Sequence, residues 1–452
     1  MRSRNARRGI EVPLRKDSLA VAIEALSWMA YTGTGERTAL LKAAQQMNIR
    51  ESGDLRQAHK WIMETSRFQN RLDWFIYQHV PAPTLEKATH GIRSLFRITA
   101  YVKLIESGPI ADLERVVGWA RQIIGWRELR PYEEYLGRLA FAKPDPSMRS
   151  ISELERLALE TCHPVWYVQR VILDLGRPTG LRILRRDQLP VSTFARVNSL
   201  KADKNSFSPE QIHASAVNDL DGAFVFDKAS NPRERGELAS SGKIVIQDLG
   251  SIVAGSVASP KPGQTVLDLC ASPGNKTSHL AAQMDNEGEI YSVELSATRS
   301  SQWKKEMART GCKIATLIRA DAAHPPIWRK VDVALVDPPC SNSGVFARNP
   351  ASKWKVTYAR VKELVRSQAR ILQAASERVA EGGTLVYCTC SILPEEDEFI
   401  VEDFLRKNAE FRLIPQLPFL GCPGLRGASK CQRFLPHLHE CNGYFIAKMC
   451  KV

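Results

Sequence analysis

Two cysteines in the second half of the chain stand where apolar, strand-like runs end. Cys340 closes the segment Asp337-Pro338-Pro339-Cys340, and Cys390 lies fifty residues later in Thr389-Cys390-Ser391. If both strands belong to one open parallel sheet, their carboxyl ends meet at one edge and the two thiols converge on one crevice. Paired thiols in a crevice suit covalent attack on a flat, electron-poor ring, followed by release of the adduct.

The residues around the thiols favour chemistry at a ring carbon. Many methyltransferases that act on exocyclic amines carry an aromatic residue where this chain has Cys340. A thiolate that attacks carbon 6 of cytosine makes carbon 5 nucleophilic, so that carbon 5 can accept a methyl group. Lys276 supplies a cation that could favour a thiolate or hold the base, and Asp337 could hydrogen-bond the ring. By strand alternation Cys388 points the same way as Cys390, so a core role for one of them stays open.

The loop from Asp268 to Thr277 joins a predicted strand to a predicted helix and has the character of a ligand loop. It is not a phosphate loop, because Asn275 and Cys270 stand where that motif requires glycine. A dinucleotide fingerprint fails as well, since the loop holds a single glycine. Glu294 is placed to accept the hydroxyls of a ribose, and Asp321 to meet an adenine amino group. Ribose and adenine contacts without a pyrophosphate cradle indicate S-adenosylmethionine, the alternative being an ordinary turn with exposed acids.

The organisation along the chain predicts an α/β domain preceded by other units. We expect a basic tail at residues 1–17, an all-α domain at 18–145, a small α+β unit at 146–250 and a catalytic domain at 251–452. In the last segment strands alternate with helices, which predicts a parallel sheet covered on both faces. The strand-like runs are Thr265–Cys270, Glu289–Leu295, Lys313–Ala320, Val331–Val336 and Thr384–Cys390.

Composition and charge limit the kinds of molecule that the protein is expected to bind. The chain has 63 basic and 49 acidic side chains, a net charge of +14, and this excess favours nucleic acid unless it only aids solubility. We expect no membrane span and no disulfide framework. We also expect no metal, because the four C-terminal cysteines lack the close pairing of zinc ligands. Reduced thiols also predict a cytoplasmic protein, and we expect a monomer.

Several motifs together resemble the RsmB/Nop/Sun family of RNA cytosine-carbon-5 methyltransferases. The likeness runs from about Pro164 to Ala447, and the two cysteine motifs in this order are its most specific part. The further matching segments are Arg196-Val197-Asn198, Gln247-Asp248, Val266–Thr277, Asp337–Pro350, Pro394-Glu395-Glu396, Phe434–His437 and Gly443–Ala447.

The resemblance implies a Rossmann-like, class I S-adenosylmethionine-dependent methyltransferase and assigns roles to residues. Cys390 would be the covalent nucleophile and Cys340 would assist release of the methylated RNA, with Lys276 and Asp337 facing the base. The residues that would line the methyl-donor site are Cys270, Ala271, Ser272, Pro273, Gly274, Asn275, Lys276, Glu294, Arg299, Asp321 and Asp337. The opposite split of the two thiol roles occurs in DNA cytosine methyltransferases.

The chain departs from the family pattern at four places, one of which is Pro338, where alanine is common. Ser272 precedes Pro273, Asn275 replaces the second glycine of the donor loop, and Ser341-Asn342-Ser343-Gly344 stands for Ser-Gly-Thr-Gly. None of these changes removes a thiol, Lys276 or Asp337, so we expect activity.

The N-terminal helices loosely resemble a NusB-like RNA-binding domain, which favours ribosomal RNA as the substrate and transfer RNA as the second choice. The alternative from another class is a non-catalytic RNA-binding or ribosome-assembly protein that keeps the fold.

Overall fold

A computed structural model describes residues 14–142, 151–203 and 207–452. The chain divides into two compact units, one of Met1–Gln169 with Asn349–Lys355, the other of Arg170–Arg348 with Val356–Val452. Of the basic tail predicted for residues 1–17, residues 1–13 lie outside the described residues. The finer division into a NusB-like domain and a separate α+β unit stays a prediction.

The first unit is helical, as its apolar spacing predicts. Its core includes the buried side chains of Leu19, Trp61 and Phe75. The segment Asn349–Lys355 belongs to this unit, where Lys353 Nζ donates to the carbonyl oxygen of Arg67 at 2.8 Å. The helices are α1 Lys16–Thr32, α2 Glu36–Gln46, α3 Ser52–Arg67, α4 Gln69–His79, α5 Ala82–Lys87, α6 His90–Tyr101, α7 Ile110–Ile123, α8 Trp126–Leu129, α9 Glu133–Phe141 and α10 Glu153–Thr161, with a π-helical turn at Val102–Glu106 and a 3₁₀ turn at Arg130–Tyr132.

A small antiparallel sheet opens the second unit. After the helices α11 Val165–Leu175 and α12 Arg177–Arg186 come β1 Thr193–Val197, β2 Ala214–Ala216, β3 Ala223–Phe226, α13 Pro232–Ser240, β4 Ile244–Ile246 and α14 Leu249–Ala258, with a 3₁₀ turn at Pro209–Ile212. The strand order is β2-β3-β1-β4. Buried Arg196 of β1 donates to the carbonyl oxygen of Asn275 at 3.2 Å and to Ser278 Oγ at 2.8 Å. This sheet therefore supports the start of the helix that follows the predicted donor loop.

The large sheet of the second unit has five parallel strands, as predicted, and an antiparallel extension that the sequence reading missed. Its order is β11-β12-β13-β9-β8-β5-β6-β7, and β10 also pairs with β13. The remaining elements are β5 Thr265–Leu269, α15 Asn275–Gln283, β6 Glu289–Val293, α16 Ala297–Thr310, β7 Ala315–Ile318, β8 Val331–Val336, α17 Ser352–Lys355, α18 Tyr358–Ser376, β9 Val379–Thr389, α19 Glu398–Lys407, β10 Phe411–Leu413, β11 Cys422–Pro423, β12 Gln432–Phe434, α20 Pro436–His439 and β13 Tyr444–Lys451; α17 lies in the first unit.

Both faces of this sheet are covered, which explains its continuous apolar strands. On β8, Val333 and Leu335 join one core cluster with residues of α14 and α15. Their neighbours Ala334 and Val336 join the other cluster with residues of α18 and α19. Because successive side chains on a strand alternate in direction, both sets of side chains on β8 are covered, and all of its residues except Asp332 are buried. The described ranges contain no helix long and apolar enough to cross a membrane.

Candidate active site

The two cysteines meet at the carboxyl edge of the large sheet. Strands β8 and β9 are parallel neighbours, with Val336 opposite Tyr387. Asp337 follows the last residue of β8, and Cys390 follows the last residue of β9. The Sγ atoms of Cys340 and Cys390 are 3.1 Å apart. The predicted convergence of the thiols is confirmed, whereas their separate roles stay predictions.

Asn342 contacts one of these thiols directly. The Cys390 thiol donates to Asn342 Oδ1 at 3.0 Å. The backbone of Asn342 is left-handed, with φ of 57°, a conformation that asparagine tolerates better than most residues. In the sequence Asn342 is only a departure from a glycine of the family pattern, and its spacing gives no sign of a contact with Cys390.

Cys340 and Cys388 both lie where the neutral thiol is favoured. The hydrogen bond with Cys390, burial and the charge of Glu396 raise the pKa of Cys340 well above its ordinary value. Burial and the charge of Asp337 likewise raise the pKa of Cys388. Cys388 is fully buried, and its thiol accepts a hydrogen bond from Tyr444 Oη at 3.4 Å. The structure therefore gives the core position to Cys388 and leaves Cys390 half-buried in the crevice.

Lys276 and Asp337 form a close ion pair beside the thiols. Lys276 Nζ donates to Asp337 Oδ2 at 2.7 Å and lies 5.6 Å from the centre of the Tyr444 ring. Burial by itself would lower the pKa of Lys276, but the charge and hydrogen bond of Asp337 raise it above its ordinary value. The ammonium therefore stays charged beside the Asp337 carboxylate. Tyr444, which packs on this cation, was not singled out from the sequence.

The donor loop lines a cavity that reaches the ion pair. Gly274 ends the loop with φ of 110°, and α15 begins at the next residue, so the backbone N–H groups of its first turn have no acceptor within the helix. The cavity is lined by Ser251, Asp268, Cys270, Ala271, Ser272, Pro273, Asn275, Lys276 and Asp337. Most of the residues predicted to hold the donor thus surround one space.

Glu294 and Arg299 meet at one rim of the donor loop. Glu294 is buried, with Oε1 accepting from the backbone N–H of Ser296 at 2.9 Å and Oε2 3.6 Å from Arg299 Nε. Arg299 also donates to the carbonyl oxygen of Ser272 at 2.6 Å. The exposed Asp321 instead accepts from the backbone N–H of Ala323 at 2.9 Å and does not line the cavity.

Asp268 is a buried acid at this site whose side chain the sequence reading did not single out. Its Oδ2 accepts from Thr277 Oγ1 at 2.6 Å, while Oδ1 has no hydrogen-bond partner among the described residues. Burial raises its pKa to about 7, against the lowering effects of the Thr277 hydrogen bond and the Lys276 charge. An unpaired buried oxygen at a cavity wall is a site for a ligand donor.

These features fit a donor that carries a ribose and positive charge. Buried Glu294 Oε2 also lacks a hydrogen-bond partner in the described ranges, and with Asp268 Oδ1 it offers two acceptors on either side of the loop. The same ranges contain no group of three or more His, Cys, Asp or Glu side chains arranged to hold a metal ion. The fold and the site define a class I methyltransferase, and S-adenosylmethionine is the cofactor of that class.

Comparison with known proteins agrees with this class. The profile for 16S rRNA methyltransferase RsmB/F matches residues 256–450. A probable ribosomal RNA small subunit methyltransferase B of Bacillus subtilis is 31% identical over 395 residues, covering 84% of this chain and 87% of that protein. A tRNA (cytosine(72)-C(5))-methyltransferase of Pyrococcus horikoshii is 37% identical over 207 residues, 46% of this chain and 52% of that protein.

A solved structure is similar over nearly the whole chain. The crystal structure of PH0851 superposes with a TM-score of 0.84 at 27% identity, covering 97% of this chain and 99% of that one. The chain belongs to the RsmB/F family of RNA methyltransferases.

Proposed function

We propose that this protein methylates carbon 5 of a cytosine in structured RNA through a covalent bond between Cys390 and the base. The observation that carries the proposal is the 3.1 Å separation of two thiols beside the Lys276–Asp337 pair. A protein that only binds RNA needs neither paired thiols nor an adjoining donor cavity.

The reaction assigns one task to each thiol. Cys390 gives its proton to solvent and its sulfur bonds to carbon 6 of the cytosine, which places electron density on carbon 5. S-adenosylmethionine supplies the methyl group to carbon 5 when it is bound. Solvent then takes the carbon 5 proton, which restores the double bond as the carbon 6–sulfur bond breaks, and the neutral Cys340 thiol assists release by donating its proton to the departing Cys390 sulfur. The elevated pKa of Cys340 keeps it neutral at first, so only one of the adjacent thiols need ionise.

The ion pair and the acids have supporting tasks. Asp337 is placed to hydrogen-bond the ring nitrogen or amino group while charge develops, and Lys276 keeps that carboxylate in position. Glu294 would hold the ribose of the donor, and Asp321 its adenine amino group. Arg299 would steady the loop at Ser272, since that is where its guanidinium donates.

We propose ribosomal RNA as the substrate. The match to the Bacillus subtilis ribosomal RNA enzyme includes most of both chains, and the net charge of +14 suits a polyanion. The N-terminal helices would act as a NusB-like RNA-binding domain, and the target base would leave its stack to reach the thiols. Because the chemistry needs reduced thiols, we expect the protein to act in the cytoplasm. We also expect it to act as a monomer. The Pyrococcus horikoshii relative makes transfer RNA the second candidate.

The test is incubation with labelled S-adenosylmethionine and separate pools of ribosomal and transfer RNA, followed by nucleoside analysis. We expect 5-methylcytosine from the wild type and none from Cys390→Ala at equal RNA binding. Normal RNA binding without 5-methylcytosine in either pool would refute the enzyme and favour the assembly factor. Bisulfite sequencing of RNA from cells with and without the gene then identifies the modified nucleotide.

A further inference from the structure

The residue that follows each reactive cysteine is a serine, and both serines bind the same carboxylate. Ser391 Oγ donates to Glu396 Oε2 at 2.7 Å, and Ser341 Oγ donates to that oxygen as well. The backbone N–H of Ser341 donates to Glu396 Oε1 at 2.8 Å. Glu396 is fully buried. One carboxylate thus spans the loop after β8 and the loop after β9.

Further hydrogen bonds complete this junction. Gln368 Nε2 donates to Glu396 Oε1 and to the carbonyl oxygen of Pro339, both at 3.0 Å. The hydroxyls of Ser343 and Ser391 are 2.9 Å apart, and the backbone N–H of Ile392 donates to Ser343 Oγ at 3.0 Å. The ion pairs of the described residues do not include Glu396. Four donors therefore bind a buried carboxyl group that has no basic partner among the described residues.

Burying the Glu396 carboxylate destabilises the fold unless each of its oxygens accepts hydrogen bonds, so its presence here calls for an explanation. A network that only stabilised the fold could tie any two segments. The Glu396 network joins the residues that follow the two thiols. The same two loops are also joined by the Gly344 N–H, which donates to the Cys390 carbonyl oxygen at 2.9 Å. Both loops follow the carboxyl ends of neighbouring strands, and their tips must stay in contact for both thiols to reach one base.

We propose that Glu396 is a positioning residue that holds Cys340 and Cys390 in register through Ser341 and Ser391. The consequence for catalysis rests on the proposed function, but the separation of the thiols does not. Glu396→Ala removes all four bonds and lets the loops part. Glu396→Gln keeps most of them, because its oxygen can accept from the two N–H donors while its NH₂ donates to the serine hydroxyls.

The thiol separation can be measured by oxidation with diamide. This reagent takes two electrons and two protons from the thiols and becomes a hydrazine as the S–S bond forms. The rate at which the Cys340–Cys390 linked peptide appears, followed by mass spectrometry, reports how often the thiols meet. We expect Glu396→Ala to slow this rate at least about tenfold and Glu396→Gln to stay close to wild type. The matched control is Glu395→Ala, because Glu395 binds Arg170 and Tyr358 instead of the thiol loops.

Steady-state kinetics supply the second readout. We expect kcat of Glu396→Ala to fall by roughly 10- to 100-fold, since misplacement by about an ångström has that effect, while KM for RNA and donor stays the same. Glu396→Gln should recover most of kcat. An unchanged disulfide rate or an unchanged kcat in Glu396→Ala overturns the proposal.

Two further controls keep the test decisive. If Glu396→Ala does not fold, Ser391→Ala removes a single hydroxyl and must still slow the disulfide relative to Glu395→Ala. If the wild type makes no 5-methylcytosine, the proposed function fails, yet the disulfide rates still decide whether Glu396 holds the thiols together.

Discussion

Asp268→Asn should change how stability depends on pH. Asp268 is fully buried, and burial raises its pKa to about 7, against 3.8 for the free side chain. Between these values the folded protein keeps a proton that the unfolded chain has lost. The free energy of unfolding therefore falls as the pH rises through this window. Across the whole window the free energy of unfolding falls by about 4 kcal/mol, and about 3 kcal/mol of this fall occurs between pH 5 and pH 8.

The asparagine variant has no such titration but retains an oxygen for the Thr277 hydroxyl. We therefore expect the variant to gain about 3 kcal/mol relative to wild type on going from pH 5 to pH 8. Urea titration in reducing buffer, with pulse proteolysis to follow the segment from β5 to α15, measures this difference in the second unit. Glu289→Gln, an exposed acid at the start of β6, is the control and should show no such change. A difference between wild type and Asp268→Asn that is constant with pH refutes the reasoning.

Three other substitutions test the site. Asp337→Ala leaves the partly buried Lys276 ammonium without its carboxylate and should lower the free energy of unfolding by about 1–3 kcal/mol. Asp337→Leu with Lys276→Met should restore stability but not methylation, and equal urea midpoints for all of these proteins would contradict this. Gly344→Ala places a Cβ 2.2 Å from the Gly443 carbonyl oxygen. We therefore expect the free energy of unfolding to fall by about 1–3 kcal/mol and activity to be lost, and an unchanged melting temperature would argue against this contact. Glu294→Gln should weaken S-adenosylmethionine about tenfold in calorimetry, and a Kd within about twofold of wild type would remove Glu294 from the donor site.

The convergence of the thiols was predictable because it depends on a general rule. Cys340 and Cys390 each follow an apolar run, and parallel strands deliver their carboxyl ends to one edge of a sheet. The donor loop was predictable in the same way, from its position between β5 and α15. These inferences need only the order of elements along the chain.

Other features could not be read from the sequence because they depend on contacts between distant residues. Glu396 lies 55 residues from Ser341 and looks like an ordinary acid before a helix. The raised pKa of Asp268 comes from its burial in the folded protein, which no local sequence pattern reveals. Strands β10 to β12 have only two or three residues each, too few for a periodicity. The eight residues of β13 are enough for a strand, but its antiparallel pairing with β9 depends on contacts between distant segments.

The central claim is that Cys390 bonds to the base and Cys340 releases it. The most direct measurement is incubation of Cys340→Ala and Cys390→Ala with RNA and S-adenosylmethionine, followed by denaturing electrophoresis and mass analysis of the linked peptide. We predict that Cys340→Ala accumulates a denaturation-resistant protein–RNA adduct through Cys390 and that Cys390→Ala forms none. An adduct through Cys340 in the Cys390→Ala protein would exchange the two roles, and no adduct in either would contradict covalent catalysis.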